Sequence, residues 1–181
     1  EPCEKVEKLW SEEIARAIFE LLTGRRWLST RKEEWNKNPD TGYCLEIDGY
    51  CKALKAGFEQ DGGQHNELHY HNRYDPEKLD ALQRRDRHKN HNFDVHGATL
   101  FRIDGRNFHT RTPISDWVRH ISRMVESLGP LPGKKWEDYL DEARQVGIEY
   151  MDNAVIIPKM TRVMPLIRTF LHVEAIRLAA L

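Results

Sequence analysis

The segment LEIDGYCKALKAGFEQDGGQH, residues 45 to 65, decides how this sequence is interpreted. It overlaps two short apolar runs, Tyr43 to Cys51 and Leu54 to Asp61, which predict the two strands of a β-hairpin. Each run carries two carboxylates, although carboxylates are poor strand formers and are costly to bury. We therefore expect this hairpin to hold something positively charged.

Strand alternation brings these carboxylates together. Residues two apart in a strand point to the same face, so Glu46 lies with Asp48, and Glu59 lies with Asp61. Pairing around the turn sets Asp48 opposite Glu59, and like charges directly opposite destabilise a sheet unless a cation offsets them. Oxygen ligands of this kind favour magnesium or manganese. The open alternative places the acids on the solvated face of a hairpin.

The sequence after the hairpin favours a site. Gly-Gly-Gln-His closes the second run, and glycine allows close approach of a ligand while histidine can hold or accept a proton. For His65 the open alternative is a capping or core residue that only makes hydrogen bonds.

The rest of the chain reads as helices around one more strand. Apolar residues recur at helical spacing over 4–23, and Pro76 suits the first position of a helix that runs to about Asn92. The further predicted elements are a strand over 98–104 and helices over 114–128 and 136–145. This order predicts a small mixed sheet flanked by helices. The apolar tail, 154–181, predicts a docked C-terminal helix, with a partner-binding or oligomerising helix as the alternative.

Composition limits the class of protein. With 181 residues, 31% charged and 39% hydrophobic, and no apolar run of bilayer length, the sequence predicts one domain, or one domain with an appendage, and no membrane protein. Three cysteines without CxxC spacing favour a reducing, intracellular compartment over a disulfide framework. The net charge is −1, but residues 78–111 hold eight Lys or Arg against four acids, which favours phosphate binding or, alternatively, a solvated helix face.

The order of these motifs resembles the PD-(D/E)XK restriction-endonuclease-like superfamily, close to its very-short-patch repair endonuclease branch with the pattern EXDGXXH. The motifs are LEIDGY, FEQDGGQH, the helical RRDRHK and the strand ATLFRID, and the similarity covers about residues 4 to 128. The resemblance implies an α/β fold with an αβββαβ core in residues 1–128, followed by a C-terminal helical extension in 129–181. It also implies acids that hold one or two divalent ions beside a scissile phosphate.

The resemblance assigns roles to five residues of the segment. Asp48 corresponds to the first aspartate of the motif, and Glu59 to the acid of (D/E)XK. Asp61 stands where the family has its lysine, which implies a second metal ligand in that place. Gln64 and His65 match the pair that closes the motif, where the histidine assists the attacking water.

Further roles follow from the same resemblance. Lys89 is expected to supply the missing positive charge from the second helix, with an ordinary exposed helix lysine as the alternative. Glu20, or alternatively Glu13, matches a helical glutamate near the metal, and Glu46 is a secondary ligand. Five arginines are expected to neutralise flanking phosphates without reading base sequence: Arg84, Arg85, Arg87, Arg102 and Arg106.

The expected function is a Mg²⁺- or Mn²⁺-dependent DNA endonuclease, acting on structured, mismatched or branched DNA in repair or recombination. RNA as a substrate and a homodimer as the active form stay open. One rival is a zinc site or an HNH-like nuclease site built from the clustered histidines, of which zinc is disfavoured because no cysteines lie near them. These histidines are His65, His69, His71, His88, His91 and His96. The other rival is an inactive nuclease-like module that binds nucleic acid or protein, which the retained acids disfavour.

Overall fold

The structure is a computed structural model that describes residues 4–62, 75–109 and 112–131, together with residues 133 and 138. Its helices are α1 (Glu4–Thr23), α2 (Pro76–Val95) and α3 (Ile114–Val125). Its strands are β1 (Leu28–Thr30), β2 (Ile47–Cys51), β3 (Ala56–Asp61) and β4 (Thr99–Asp104). No helix in these ranges combines the length and the apolar composition needed to cross a bilayer.

Two compact units divide the chain. The sheet unit is Trp27–His109, and the terminal unit combines Glu1–Arg26 with Thr110–Leu181. In the terminal unit α1 contacts α3, and the helical spacing over 4–23 is confirmed as α1. The predicted helix over 114–128 is α3 followed by a short 3-10 turn. The predicted 136–145 helix, apart from residue 138, and the 154–181 tail lie outside the described residues, as does most of the 129–181 extension.

One four-stranded mixed sheet, in the order β1-β2-β3-β4, forms the centre of the sheet unit. The β1–β2 and β2–β3 pairs are antiparallel, and β4 runs parallel to β3. Together with the helices, this sheet confirms the predicted α/β class. The residue pattern alone did not predict strand β1, because three residues in a charged, turn-rich segment show no usable alternation.

The predicted hairpin is present, but both of its strands begin later than predicted. Leu45 donates its backbone N–H to the carbonyl oxygen of Asn36 (2.7 Å) and accepts from the side-chain amide of Asn36, so it bonds to a loop instead of the sheet. Glu46 consequently precedes β2. On the other side, Lys52–Leu54 form a 3-10 turn and Lys55 adopts the left-handed conformation, so β3 begins at Ala56.

Each face of the sheet carries its own apolar packing. On one face Trp27 and Phe58 are fully buried, with ring centroids 6.1 Å apart. On the other face Ile47, Tyr50 and Phe93 form a cluster against which Trp35 packs. Since Phe93 belongs to α2, this second cluster attaches the helix to the sheet.

Helix α2 starts where the sequence predicted. Asp75 caps it, because its Oδ1 accepts hydrogen bonds from the backbone N–H groups of Glu77 and Lys78, and Pro76 occupies the first turn. The helix ends at Val95, three residues beyond the predicted end at Asn92. Its buried residues are Lys89 and Phe93, so one of the two residues that this helix buries is a lysine.

Close packing at Gly57 of β3 sets the distance of α2 from the sheet. A Cβ atom at this position would lie 2.8 Å from Cζ of Phe93 and 3.2 Å from Cγ2 of Ile47, nearer than van der Waals contact allows. Because Phe93 and Ile47 are both buried, neither can move aside freely. Only glycine therefore lets the helix approach this closely.

We expect Gly57→Ala to lower the free energy of unfolding by about 1 to 3 kcal/mol, because the added methyl group overpacks the contact with Phe93. Urea unfolding would measure the change, with the exposed β1 substitution Ser29→Ala as a control. A Gly57→Ala protein as stable as wild type would show that α2 is not held at this distance.

Candidate active site

Asp48 and Glu59 lie next to each other in the sheet unit and are both buried, at 9% and 6% exposure. The regular pairing of β2 with β3 extends from Cys51 and Ala56 to Gly49 and Phe58. Beyond that pair, side chains replace the backbone ladder. The N–H of Gln60 donates to Oδ2 of Asp48 (2.9 Å), and the N–H of Asp48 donates to Oε1 of Glu59 (3.3 Å). The backbone of the opposite strand therefore fixes each carboxylate.

Helix α2 places Lys89 on Glu59. The Nζ atom of Lys89 donates to Oε2 of Glu59 at 2.5 Å, and Lys89 is 8% exposed. The interpretation of Lys89 as an ordinary exposed helix lysine is therefore wrong.

The positions of these contacts follow from the dimensions of helix and strand. Phe93 packs on Gly57, and Lys89 bonds to Glu59, so the helix runs antiparallel to β3. Four residues of helix rise about 6 Å, and two residues of strand advance about 6.6 Å, so successive contacts stay in step. The spacing that brings Phe93 to Gly57 thus also brings Lys89 to Glu59.

Burial dominates the electrostatics of the site. Burial, followed by the charge of Asp48, raises the pKa of Glu59 to about 7, although Lys89 and Arg102 act in the opposite direction. Glu59 therefore changes its protonation state near neutral pH. A carboxyl group that titrates there can accept a proton or bind a cation within the range in which enzymes work.

Asp61 lies against a guanidinium group. Its Oδ1 atom is 2.7 Å from Nη1 of Arg102, which projects from the neighbouring strand β4. The Nη2 atom of the same arginine donates to Oδ1 of Asn90 on α2 (2.7 Å). Arg102, expected from the sequence as a surface phosphate contact, has a side chain that is only 26% exposed. It joins three elements of the sheet unit.

The other predicted metal ligands either form ion pairs with arginines or fall outside the described residues. Glu46 is exposed before β2, with its Oε2 atom 2.5 Å from Nη2 of Arg31, so the expected alternation with Asp48 does not apply to it. Glu20 lies in the terminal unit, where it pairs with Arg26 at 3.4 Å. His65 and Gln64 fall outside the described residues, and their roles stay predictions.

Three of the predicted phosphate-binding arginines pair with nearby aspartates. Arg84 and Arg87 contact Asp80 at 2.9 and 3.8 Å, and Arg106 contacts Asp104 at 2.9 Å. At about 100° per residue, Arg84 and Arg87 project from the side of α2 roughly opposite Lys89. Arg85 is exposed, and in the described ranges no carboxylate pairs with it.

The fit of a divalent ion depends on Asp48 and Glu59. Within the described residues no three His, Cys, Asp or Glu side chains gather to hold a metal ion. Magnesium, however, is commonly held by one or two carboxylates together with waters and substrate phosphates. The two carboxylates of this site fit that arrangement.

Two histidines of the zinc hypothesis have other neighbours in the described part of the chain. His96 stacks on Trp35 with ring centroids 4.3 Å apart, and His88 lies 3.7 Å from Asp40. Both contacts join α2 to the loop before β2. His65, His69 and His71 fall outside the described residues.

Sequence reasoning missed the part that α2 residues play around Lys89. Asn90 and the backbone carbonyl of Asp86 both accept hydrogen bonds from Arg102. The available signal was spacing, since Asp86, Lys89, Asn90 and Phe93 recur at three- and four-residue intervals and so share one helix face. A polar face of this kind is easily taken for a solvated one.

Comparison with known proteins gives no family assignment. No protein-family model matches the chain, and no solved structure matches it. A curated relative, "Uncharacterized protein 094L" of Frog virus 3 (isolate Goorha), is 41% identical over 56 residues. That match covers 31% of this chain and 36% of the viral protein, so the chain aligns with about a third of the relative's length.

The raised pKa of Glu59 predicts a pH dependence of stability in metal-free buffer. Its folded pKa of about 7 exceeds its ordinary 4.5, so the folded state binds more protons between these values. Protonation of Glu59 in the folded state contributes about 3 kcal/mol to the free energy of unfolding. This contribution is complete below pH 4.5 and is lost as the pH rises through 7. Glu59→Gln should lack this loss.

Urea unfolding between pH 5 and pH 8 in EDTA would measure the effect as the difference between wild type and Glu59→Gln, which cancels groups that the two proteins share. Glu34→Gln is the control, because the pKa of that exposed carboxyl is lowered, chiefly by Lys37. Parallel pH profiles for wild type and Glu59→Gln would contradict the raised pKa.

Proposed function

We propose that this protein is a divalent-metal-dependent endonuclease that hydrolyses phosphodiester bonds in DNA. The observation that carries the proposal is the buried cluster of two carboxylates and one ammonium group, with Lys89 Nζ 2.5 Å from Glu59 and Asp48 beside them. Burying these charges costs free energy that well-packed apolar residues would not cost. Such a cluster is therefore better explained by chemistry than by stability.

Each group of the cluster has a place in phosphodiester hydrolysis. Asp48 and Glu59 would hold Mg²⁺ or Mn²⁺, which supplies a Lewis acid for the phosphate and lowers the pKa of a bound water. The ammonium group of Lys89 stabilises negative charge that develops on the phosphate oxygens, in a setting where water screens it little. The N–H of Gln60 keeps the Asp48 carboxylate in position without a further side chain.

The order of elements supports the same proposal. With β1 included, the chain runs α1-β1-β2-β3-α2-β4, the αβββαβ order that the resemblance to the PD-(D/E)XK superfamily implies. The motif lysine of that superfamily is replaced here by Asp61. Lys89 brings an ammonium group to Glu59 from α2, and this contact supports the proposal that Lys89 takes the place of the motif lysine.

DNA is the proposed substrate because of the positive charge in residues 78–111. Arg85 is exposed for contact with a phosphate backbone, and Arg106 is half exposed beside Asp104. These contacts would position a duplex without reading its sequence. His65 and Gln64 complete the proposal as groups that orient the attacking water.

A second candidate is a module that binds nucleic acid and does not cleave it. One observation favours it: both carboxylate oxygens of Glu59 already accept hydrogen bonds, from Lys89 and from the N–H of Asp48. A ligand must compete with these bonds. The two candidates differ in whether metal ions produce cleavage.

Cleavage assays test the proposal directly. We expect products from a panel of plain duplex, mismatched, flap and four-way junction DNA in Mg²⁺ or Mn²⁺, and none in EDTA. Asp48→Asn, Glu59→Gln and Lys89→Met should each lower the rate by at least about 100-fold, because each removes a charge that acts on the reacting phosphate. Glu34→Gln, an exposed carboxylate paired with Lys37, is the matched control.

Single-stranded DNA and RNA belong in the same assay, since cleavage of RNA alone would replace DNA as the substrate. Binding of any of these nucleic acids with no product in either metal would support the binding module. Cleavage that survives in both Asp48→Asn and Glu59→Gln would place the active site elsewhere.

Metal binding should depend on pH in the direction set by Glu59. Because its pKa lies near 7, a cation must displace a proton at pH 6 but meets an ionised carboxylate at pH 8. We expect Mn²⁺ to raise the melting temperature more at pH 8 than at pH 6, and to have little effect on Asp48→Asn or Glu59→Gln. An equal Mn²⁺ effect in these variants would show that the ion binds at another place.

A further inference from the structure

Arg102 holds three elements of the sheet unit at one point. From β4, its Nη1 atom contacts Asp61 of β3 at 2.7 Å, and its Nη2 atom donates to Asn90 Oδ1 (2.7 Å) and to the carbonyl oxygen of Asp86 (3.4 Å) on α2. The carboxylate of Asp86 lies 3.7 Å from Nη1 as well. A planar guanidinium with several fixed donors suits such a junction better than a lysine.

The contacts of α2 show why a junction is needed there. Phe93 is the buried apolar residue of this helix, and Leu79 and Leu82 are only partly buried. Asn92 and His96 join the same end of the helix to the loop before β2, so the helix is held most firmly near its C-terminal end. Most of the remaining helix face is polar, so a second anchor has to be polar too.

The second anchor lies around Lys89 in the sequence. Asn90 is the next residue, and Asp86 is one helical turn earlier, so two bonds to Arg102 set both the rotation and the rise of the turn that carries Lys89. They act together with the packing of Phe93 on Gly57, and by holding this turn in place they limit the entropy cost of bringing the Lys89 side chain to Glu59.

We infer that Arg102 is a positioning residue that places Lys89 on Glu59, and that Asp61 serves to anchor Arg102. The role of Lys89 in this inference rests on the proposed function. In this inference Asp61 serves as the anchor of Arg102, in place of the second metal ligand that the resemblance implies. Asp61, which stands at the motif's lysine position, thus has the role of holding Arg102.

Chemical labelling of Lys89 tests the inference without any nuclease activity. In wild type, Lys89 is buried and should react slowly with an acetyl N-hydroxysuccinimide ester, as read by mass spectrometry. Arg102→Gln should raise its labelling rate about tenfold, because hydrogen bonds to a charged group contribute on that order to holding α2. Lys37, 46% exposed, is the internal reference, and Arg119→Gln, which removes an exposed arginine paired with Asp116, is the matched control.

A milder variant keeps the test decisive if Arg102→Gln does not fold. Asn90→Ala removes one acceptor on an exposed helix position and leaves the Asp61–Arg102 pair intact, and it should also raise the labelling of Lys89. Unchanged labelling in either folded variant would overturn the inference. Loss of the whole fold in both variants would overturn it too, because Arg102 would then support the sheet and not Lys89 in particular.

Cleavage kinetics separate a positioning residue from a phosphate contact. If Arg102 acts through Lys89, Arg102→Gln should lower kcat by about tenfold or more in wild type, yet change it less than about twofold in a Lys89→Met background. A raised KM with a weaker salt dependence, equal in both backgrounds, would instead make Arg102 a phosphate contact and overturn the inference. If wild type cleaves no nucleic acid, the proposed function fails, and labelling alone decides whether Arg102 positions Lys89.

Discussion

The contact between the Lys89 ammonium and the Glu59 carboxylate joins a helix to the centre of a sheet in a place that water hardly reaches. Removing one partner of such a buried pair typically costs about 3 to 5 kcal/mol, because the other charge is left without compensation. Replacing both by apolar residues often costs nothing. The pair therefore constrains the fold strongly while stabilising it little, and the surrounding packing has to supply the stability.

That packing follows from the constraint. An ammonium group can reach Glu59 only if α2 lies close to β3, and Gly57 allows this because it leaves room for the ring of Phe93. The same face of β3 then presents Asp61, a partly buried acid that needs a positive partner of its own. Arg102 on the neighbouring strand meets it, since parallel pairing places Glu59 beside Arg102 and Asp61 one step further along.

Much of the fold was predictable because it depends on local signals. The helical spacing of α1, the proline and capping aspartate of α2, and the alternation of the hairpin are all readable within short windows. Strand β1 was not predictable, since it consists of three residues held by pairing with β2. The misplaced Glu46 has a similar cause, because a hydrogen bond from Leu45 to Asn36 delays the start of β2.

The site was predictable only in part, for a related reason. Asp48 and Glu59 lie eleven residues apart across a hairpin, so alternation alone could set them together. The partner of Asp61 lies 41 residues away on a parallel strand, and the register of such a pair depends on how an intervening helix packs. Lys89 was identified only through the resemblance, which implies a positive charge near the acids. The residue pattern could not identify it, because a lysine in a polar helix gives no sign that it is buried.

The division of the chain into two units adds a consequence for its architecture. Every described member of the Asp48, Glu59, Lys89 and Arg102 group belongs to one uninterrupted segment, Trp27–His109, whereas the terminal unit is assembled from both ends of the chain. In chain order, the sheet unit is thus inserted into the terminal unit, and the chain passes between the two units twice, after Arg26 and after His109. Residues added or removed at those two positions would change the connection between the units without breaking any contact among these four side chains. The sequence of the terminal unit can therefore change in evolution while the candidate site is kept.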